Sequence, residues 1–134
     1  TMKANGAYTA LVSGGFTAFS IPIGTSLGFD EQNANILVEE NGVFTGKVAE
    51  PILGKNEKVN QLNRLVEERG LMHRDVLAVG DGANDLGMLA IAGIGVAMHA
   101  KPIVAEKCDI VINHCDLSSL LYLQGYKKED FVST

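Results

Sequence analysis

Little in this 134-residue sequence points to a membrane, a nucleic acid or an oxidising compartment. No apolar run approaches the roughly 20 residues that span a bilayer. The opening Thr1-Met2-Lys3 is not followed by the apolar core of a signal peptide. Basic residues are outnumbered by acidic ones, and the formal net charge of −5 argues against a general nucleic-acid binder. There are two cysteines, Cys108 and Cys115, in neither metal-ligand nor CxxC spacing. They read as buried structural thiols in a protein of the reducing cytoplasm. Internal repeats and low-complexity segments are absent. The length allows one domain at most, spanning 1–134. A domain of this size buries roughly two-thirds of its unfolded surface, and 46% hydrophobic residues is ordinary for a soluble fold.

What is present centres on the stretch from Val76 to Leu89. Val76 to Val79 is a short continuous apolar run, predicting a strand buried on both faces as in parallel sheets. Gly80 and Gly82 then predict a tight turn open to close approach by a ligand. Asp81, Asn84 and Asp85 crowd onto that turn, just ahead of a helical pattern. Asp and Asn also favour turns and helix caps for purely local reasons. Here, however, three side-chain oxygen groups converge at the C-terminal end of a buried strand, where open α/β sheets bind ligands. Two confined carboxylates with no base between them repel each other, and a hard cation such as Mg2+ relieves that repulsion.

The remaining chain alternates strand and helix. Ala7 to Val12 predicts a strand running into Ser13-Gly14-Gly15, followed by a helix from about Phe16 to Leu27 that Pro22 should kink or restart. Phe16, Phe19, Ile23 and Leu27 recur near helical spacing and are expected to face the sheet. Ser13 with two glycines at a strand-to-helix junction offers a hydroxyl and N–H groups to a phosphate oxygen, although the same composition occurs in plain loops. No general base adjoins Ser13, so a serine nucleophile is not expected. Asn33 to Glu39 and Val43 to Val48 predict a hairpin about Asn41-Gly42. Lys55 to Arg69 predicts an amphipathic helix with Val59, Leu62, Leu65 and Val66 as its apolar stripe and Gly70 as its cap. Leu86 to Ala92 reads as a helix and Ile94 to Met98 as a buried strand. His99 reads as a loop residue near the site, and a helix follows from Pro102 through Lys107. Asp109 to Ile112, Leu117 to Leu123 and a solvated tail from Gly125 complete the pattern. The alternation predicts an α/β fold with a mostly parallel sheet and a β-hairpin.

Gly80-Asp81-Gly82-Ala83-Asn84-Asp85 resembles the fourth motif of the haloacid dehalogenase-like phosphohydrolases. Ser13-Gly14-Gly15-Phe16, Asn41 to Gly46 and His99-Ala100-Lys101-Pro102 resemble the phosphoserine phosphatase branch of that family, in order over nearly the whole chain. The resemblance implies a Rossmann-like core and Mg2+-dependent hydrolysis of a phosphomonoester through an aspartyl-phosphate. It implies Asp81 as metal ligand, Ser13 and the Gly14 N–H as phosphoryl binders, and Asn84 as a substrate-orienting group. It implies a lysine near the start of the Lys55 helix that neutralises phosphate charge. Lys58 suits this better than Lys55, with Asp85 positioning Lys58 and metal-bound water. The implied substrate is phosphoserine in serine biosynthesis; a different small phosphomonoester, or a non-catalytic interaction module, are the alternatives.

The family's nucleophile motif, Asp-x-Asp, has no counterpart here. Asp30-Glu31 lacks both the preceding buried strand and the following Thr or Ser. The sequence is therefore expected to be the C-terminal portion of such an enzyme, a partial core inactive alone. The absent strand would lie between those ending at Ser13 and Asp81. The expected remedies are closure of the two edges, a strand exchanged within a homodimer, or a further N-terminal segment.

Overall fold

Among the described residues, 1–132 with the side chain of residue 55 excluded, the computed structural model contains seven strands and five α-helices. They gather into two units, 1–51 with 115–132, and Ile52–His114. The fold is α/β with parallel strand pairs and one antiparallel hairpin, as the alternation predicts.

In the first unit, β1 (Ala10–Phe16) runs parallel to β2 (Glu31–Asn35), and α1 (Thr17–Leu27) connects them. β1 starts later than predicted and carries Ser13, Gly14 and Gly15 within it rather than beyond it. The ladder explains this. Val12 pairs with Asn33 and Phe16 with Asn35, so β1 spends four steps where β2 spends two. The excess bulges at the glycines, which lose no side-chain packing there.

α1 is continuous through Pro22, with no restart. It ends at Gly28 (φ 72°), where the Gly28 N–H donates to the Thr25 carbonyl and the Phe29 N–H to the Gly24 carbonyl. That pairing satisfies carbonyls the helix would otherwise strand. The expected inward stripe is not the buried one: Phe19, Ile23 and Leu27 are exposed, while Ser20 and Gly24 are buried. The cause is size. Gln32 of β2 lies where a Gly24 Cβ would be, so the helix seats its small face on the sheet and turns its large apolar residues outward.

The single strand expected over 33–39 is two. At Ile36 the chain leaves β1 and starts β3 (Leu37–Glu40), antiparallel to β4 (Val43–Val48). Asn41 (φ 52°) and Gly42 (φ 78°) make the two-residue turn, whose left-handed backbone only such residues adopt cheaply. α5 (Ser119–Leu123) also belongs to this unit. The tail is solvated as expected, with 127–130 exposed, and it is tied down where Phe131 stacks at a tilt on Tyr122 with centroids 5.1 Å apart and the Val132 N–H donates to Thr1 Oγ1 at 2.8 Å.

In the second unit, α2 (Lys55–Glu68) precedes the parallel sheet β5 (Leu77–Gly80), β6 (Ile94–Met98), β7 (Ile110–Ile112), in that spatial order. α3 (Leu86–Ile91) and α4 (Pro102–Ala105) make the crossovers. Leu62, Val66, Ala78, Leu89, Ala97 and Val104 form its core, with Cys108 packed against it. Fully burying a side chain such as Leu contributes about 1.5–3 kcal/mol. The middle strand is β6, where Val96 and Ala97 are wholly buried. β5 is therefore an edge, and only Ala78 in it is fully buried, contrary to the both-faces expectation. Cys115, expected inside, is exposed, because it follows the last strand on the way out of the unit.

Candidate active site

The turn after β5 is built around Asp85. Its Oδ2 accepts the N–H groups of Asp81 and Gly82, both at 3.0 Å. Its Oδ1 accepts Lys58 Nζ at 2.5 Å, and both side chains of this pair are buried. Two features of the sequence allow the pairing. A Cβ at Gly80 would stand 2.5 Å from Asp85 Cβ, so only glycine leaves the carboxylate its place. A Cβ at Gly87 would stand 2.9 Å from Val59 Cγ2, so the glycine lets α3 approach α2 closely enough for Lys58 to reach Asp85. Burial pushes the Asp85 carboxyl up, but the Lys58 ammonium and the Gly82 and Asp81 N–H groups outweigh it and hold it below the usual carboxylate range.

The turn glycines also make room for the protein's own side chains. The space over Gly80 is filled by Asp85, and that over Gly82 by Asn84 Oδ1 at 2.5 Å from an ideal Cβ.

Asp81 differs from Asp85 in every respect. It is exposed, and among the described residues its carboxylate takes no protein donor. Asn84 is exposed beside it. The buried Lys58–Asp85 pair is internally neutral, so among the described residues Asp81 is the carboxylate of the turn without a cationic partner. The donor chemistry suits a hard cation. Among the described residues no three acidic, His or Cys groups form a metal cage. Asp81 would thus be one ligand, leaving the other positions to water and phosphate oxygens, as is usual for Mg2+.

Ser13 and Gly14 lie in the first unit, at the bulge of β1. Ser13 Oγ accepts the Gly15 N–H at 3.0 Å, and the Gly14 carbonyl accepts Asn35 Nδ2 at 2.9 Å. Asn35, buried in β2, was missed by sequence reasoning, although an Asn within a strand is itself a signal of a polar task. Also missed was the Lys101 N–H, which donates to the Asp81 carbonyl at 3.1 Å. Its signal is topological, since the end of β6 lies beside the end of β5.

A parallel α/β layer with a carboxylate-bearing turn at a strand's C-terminal end is the arrangement in which open α/β sheets bind ligands. The model of the haloacid dehalogenase-like hydrolases matches residues 1–90, and the chain belongs to that family. It is 42% identical over 123 residues to a phosphoserine phosphatase of Haemophilus influenzae, covering 92% of this chain and 39% of the relative. It is 41% identical over 120 residues to a phosphoserine phosphatase of Methanocaldococcus jannaschii, covering 90% and 57%. The crystal structure of a probable phosphoserine phosphatase from Vibrio cholerae superposes with a TM-score of 0.89 at 36% identity, covering 93% of this chain and 39% of that one. The chain thus spans well under two-thirds of the length of these relatives.

Proposed function

We propose that this chain carries the greater part of the phosphate-handling site of a Mg2+-dependent phosphomonoester hydrolase acting on phosphoserine, in serine biosynthesis in the cytoplasm. The observation that carries the reading is the contrast within one turn: a buried, neutralised Asp85–Lys58 pair beside an exposed Asp81 whose carboxylate has no partner among the described residues. The names of the relatives support the substrate. Both units belong to one catalytic domain in this reading, and the family model running through both supports it.

In the proposed mechanism Ser13 Oγ and the Gly14 N–H bind phosphoryl oxygens. The Lys58 ammonium neutralises phosphate charge, held in place by Asp85. Asn84 orients the substrate, and Asp81 holds Mg2+. When bound, the ion offsets the negative charge of the phosphoryl group. Positioning and charge stabilisation of this kind are most of what phosphoryl transfer asks of a protein. The attacking carboxylate belongs, in this reading, to an Asp-x-Asp segment, a motif this sequence does not contain. A strand for the open edge of β1 or of β5 comes from that segment or from a second copy that exchanges one. The lack of Asp-x-Asp also favours a second reading, a non-catalytic module that keeps the fold.

The test has two arms. The 134-residue chain with phosphoserine and Mg2+ is expected to show no turnover. Joined to a segment supplying Asp-x-Asp, it is expected to hydrolyse phosphoserine, and Asp81→Asn is expected to abolish that activity. Near-normal turnover by Asp81→Asn removes the assignment. Failure of the joined chain to hydrolyse any small phosphomonoester favours the non-catalytic reading.

A further inference from the structure

The backbone of Asp81, from which its carboxylate springs, is held at both flanking peptide groups. The Asp81 N–H is held by Asp85 Oδ2 at 3.0 Å, and the Asp81 carbonyl accepts the Lys101 N–H at 3.1 Å. Lys101 belongs to a corner, His99 to Pro102, that turns the chain from β6 into α4. His99 holds φ at +45°, one of two non-glycine residues with positive φ among those described. The other, Asn41, is explained by its hairpin turn. No hairpin asks for a left-handed histidine at 99, a conformation L-residues avoid. The strained corner is held from several sides. The His99 N–H donates to the Ile112 carbonyl of β7 at 2.8 Å. The Lys101 carbonyl accepts the Val104 and Ala105 N–H groups at 2.9 and 3.1 Å, and Val104 is wholly buried. A strained residue that its surroundings hold in place is a reason to look for a function.

We propose that the His99–Lys101 corner is the positioning element of the Asp81 carboxylate: the left-handed His99 aims the Lys101 N–H at the Asp81 carbonyl and so fixes how Asp81 meets a divalent cation. This rests on the reading of Asp81 as a Mg2+ ligand and extends it to residues outside the turn. The role is assigned to the backbone of His99.

The substitutions that test it separate backbone from side chain. Lys101 has φ −61° and ψ 148°, values proline shares and values tolerated before Pro102. Lys101→Pro therefore removes the donor at a backbone conformation proline adopts, and sets its Cδ against the Asp81 carbonyl, so the hydrogen bond gives way to a repulsive contact. His99→Val resists positive φ, and His99→Gly accepts it. The 134-residue chain and these three variants are labelled for NMR. Amide exchange is measured at Asp81, and MgCl2 is titrated against the amide shifts of residues 80–85. Lys101→Pro and His99→Val are expected to speed Asp81 exchange and to weaken Mg2+ by about tenfold or more, the loss typical when a residue that orients a metal ligand is removed. His99→Gly is expected to match the parent in both readouts. Equal exchange and equal affinity across all four chains overturn the proposal. So does a loss in His99→Gly as large as that in His99→Val, because the imidazole would then be responsible. A parent chain indifferent to MgCl2 defeats the metal reading. The exchange data then decide the corner by themselves, and an unchanged Asp81 rate in Lys101→Pro overturns it. Should Lys101→Pro fail to fold, the valine and glycine pair decides.

Discussion

Asp81 and Asp85 are the same residue type four positions apart, yet their surroundings give them opposite tasks. Asp85 is buried with three donors on it, whereas Asp81 is exposed. Removing one member of a buried ion pair leaves the other charged and unpaired, at a cost of about 3–5 kcal/mol. Asp85→Ala is therefore expected to lower stability by about that amount, while Asp81→Ala stays within about 0.5 kcal/mol, as exposed substitutions usually do. Urea midpoints of the two variants check this, and equal midpoints contradict it. The same pair sets a pH dependence. The Asp85 carboxyl is held low in the folded chain, so its contribution is complete above the unfolded value of about 3.9. It is lost as pH falls through the lower folded value. Urea midpoints of the parent should thus fall below about pH 4, and those of Asp85→Asn should fall less steeply over the same range. Asp30, held down to about 2 by Lys3 and by the Thr9 N–H and hydroxyl, adds a loss in the same direction that persists in the variant.

Among the elements, those governed by periodicity or turn chemistry were legible and those governed by size were not. The spacing of Leu62 and Val66 marks α2, and Asn41-Gly42 marks the hairpin, because one apolar stripe and one backbone conformation decide them. α1 also has apolar residues at helical spacing, but packing on β2 is decided by the missing Cβ of Gly24, which hydropathy does not express. The candidate site divides in the same way. Asp81, Asn84, Asp85 and Lys58 stand out by residue type, whereas the Lys101 N–H belongs to a backbone group that every residue but proline has. Gly80 shows the consequence at this scale. Gly80→Ala would drive a Cβ to 2.5 Å from Asp85 Cβ, forcing the carboxylate off Lys58. Overpacking of this kind costs about 1–3 kcal/mol. Gly54→Ala, in open space at the N-cap of α2 with φ −111°, meets no side chain and loses only the cap preference, so it is expected to cost less, about 0.5–1 kcal/mol. Thermal melts of the two variants check the contrast, and similar midpoints would contradict it.

For the molecule as a whole, the feature with the largest consequence is what lies beside β1 and β5. Each has one ladder partner among the described residues, β2 and β6 respectively. Parallel sheets are normally covered on both faces, and an unpaired edge is a template for another strand. The edge position of β5 could not be read from Val76 to Val79, since an apolar run looks the same in the middle of a sheet and at its border. It follows that the chain should recruit a strand when one is offered. In a parallel ladder the N–H groups of one strand point alternately to its two neighbours, so half of the β5 amides point away from β6. At low concentration those amides are expected to exchange near solvent rates while the others are protected by β6. If a second copy supplies a strand to this edge, raising the concentration should slow their exchange, raise the melting temperature and shift sedimentation towards a dimer, because association stabilises the folded chain by mass action. An Asp-x-Asp segment added as a separate peptide should protect the same amides without the dimer. Protection of every β5 amide in a dilute monomer contradicts the open edge, and exchange indifferent to both concentration and peptide contradicts strand recruitment.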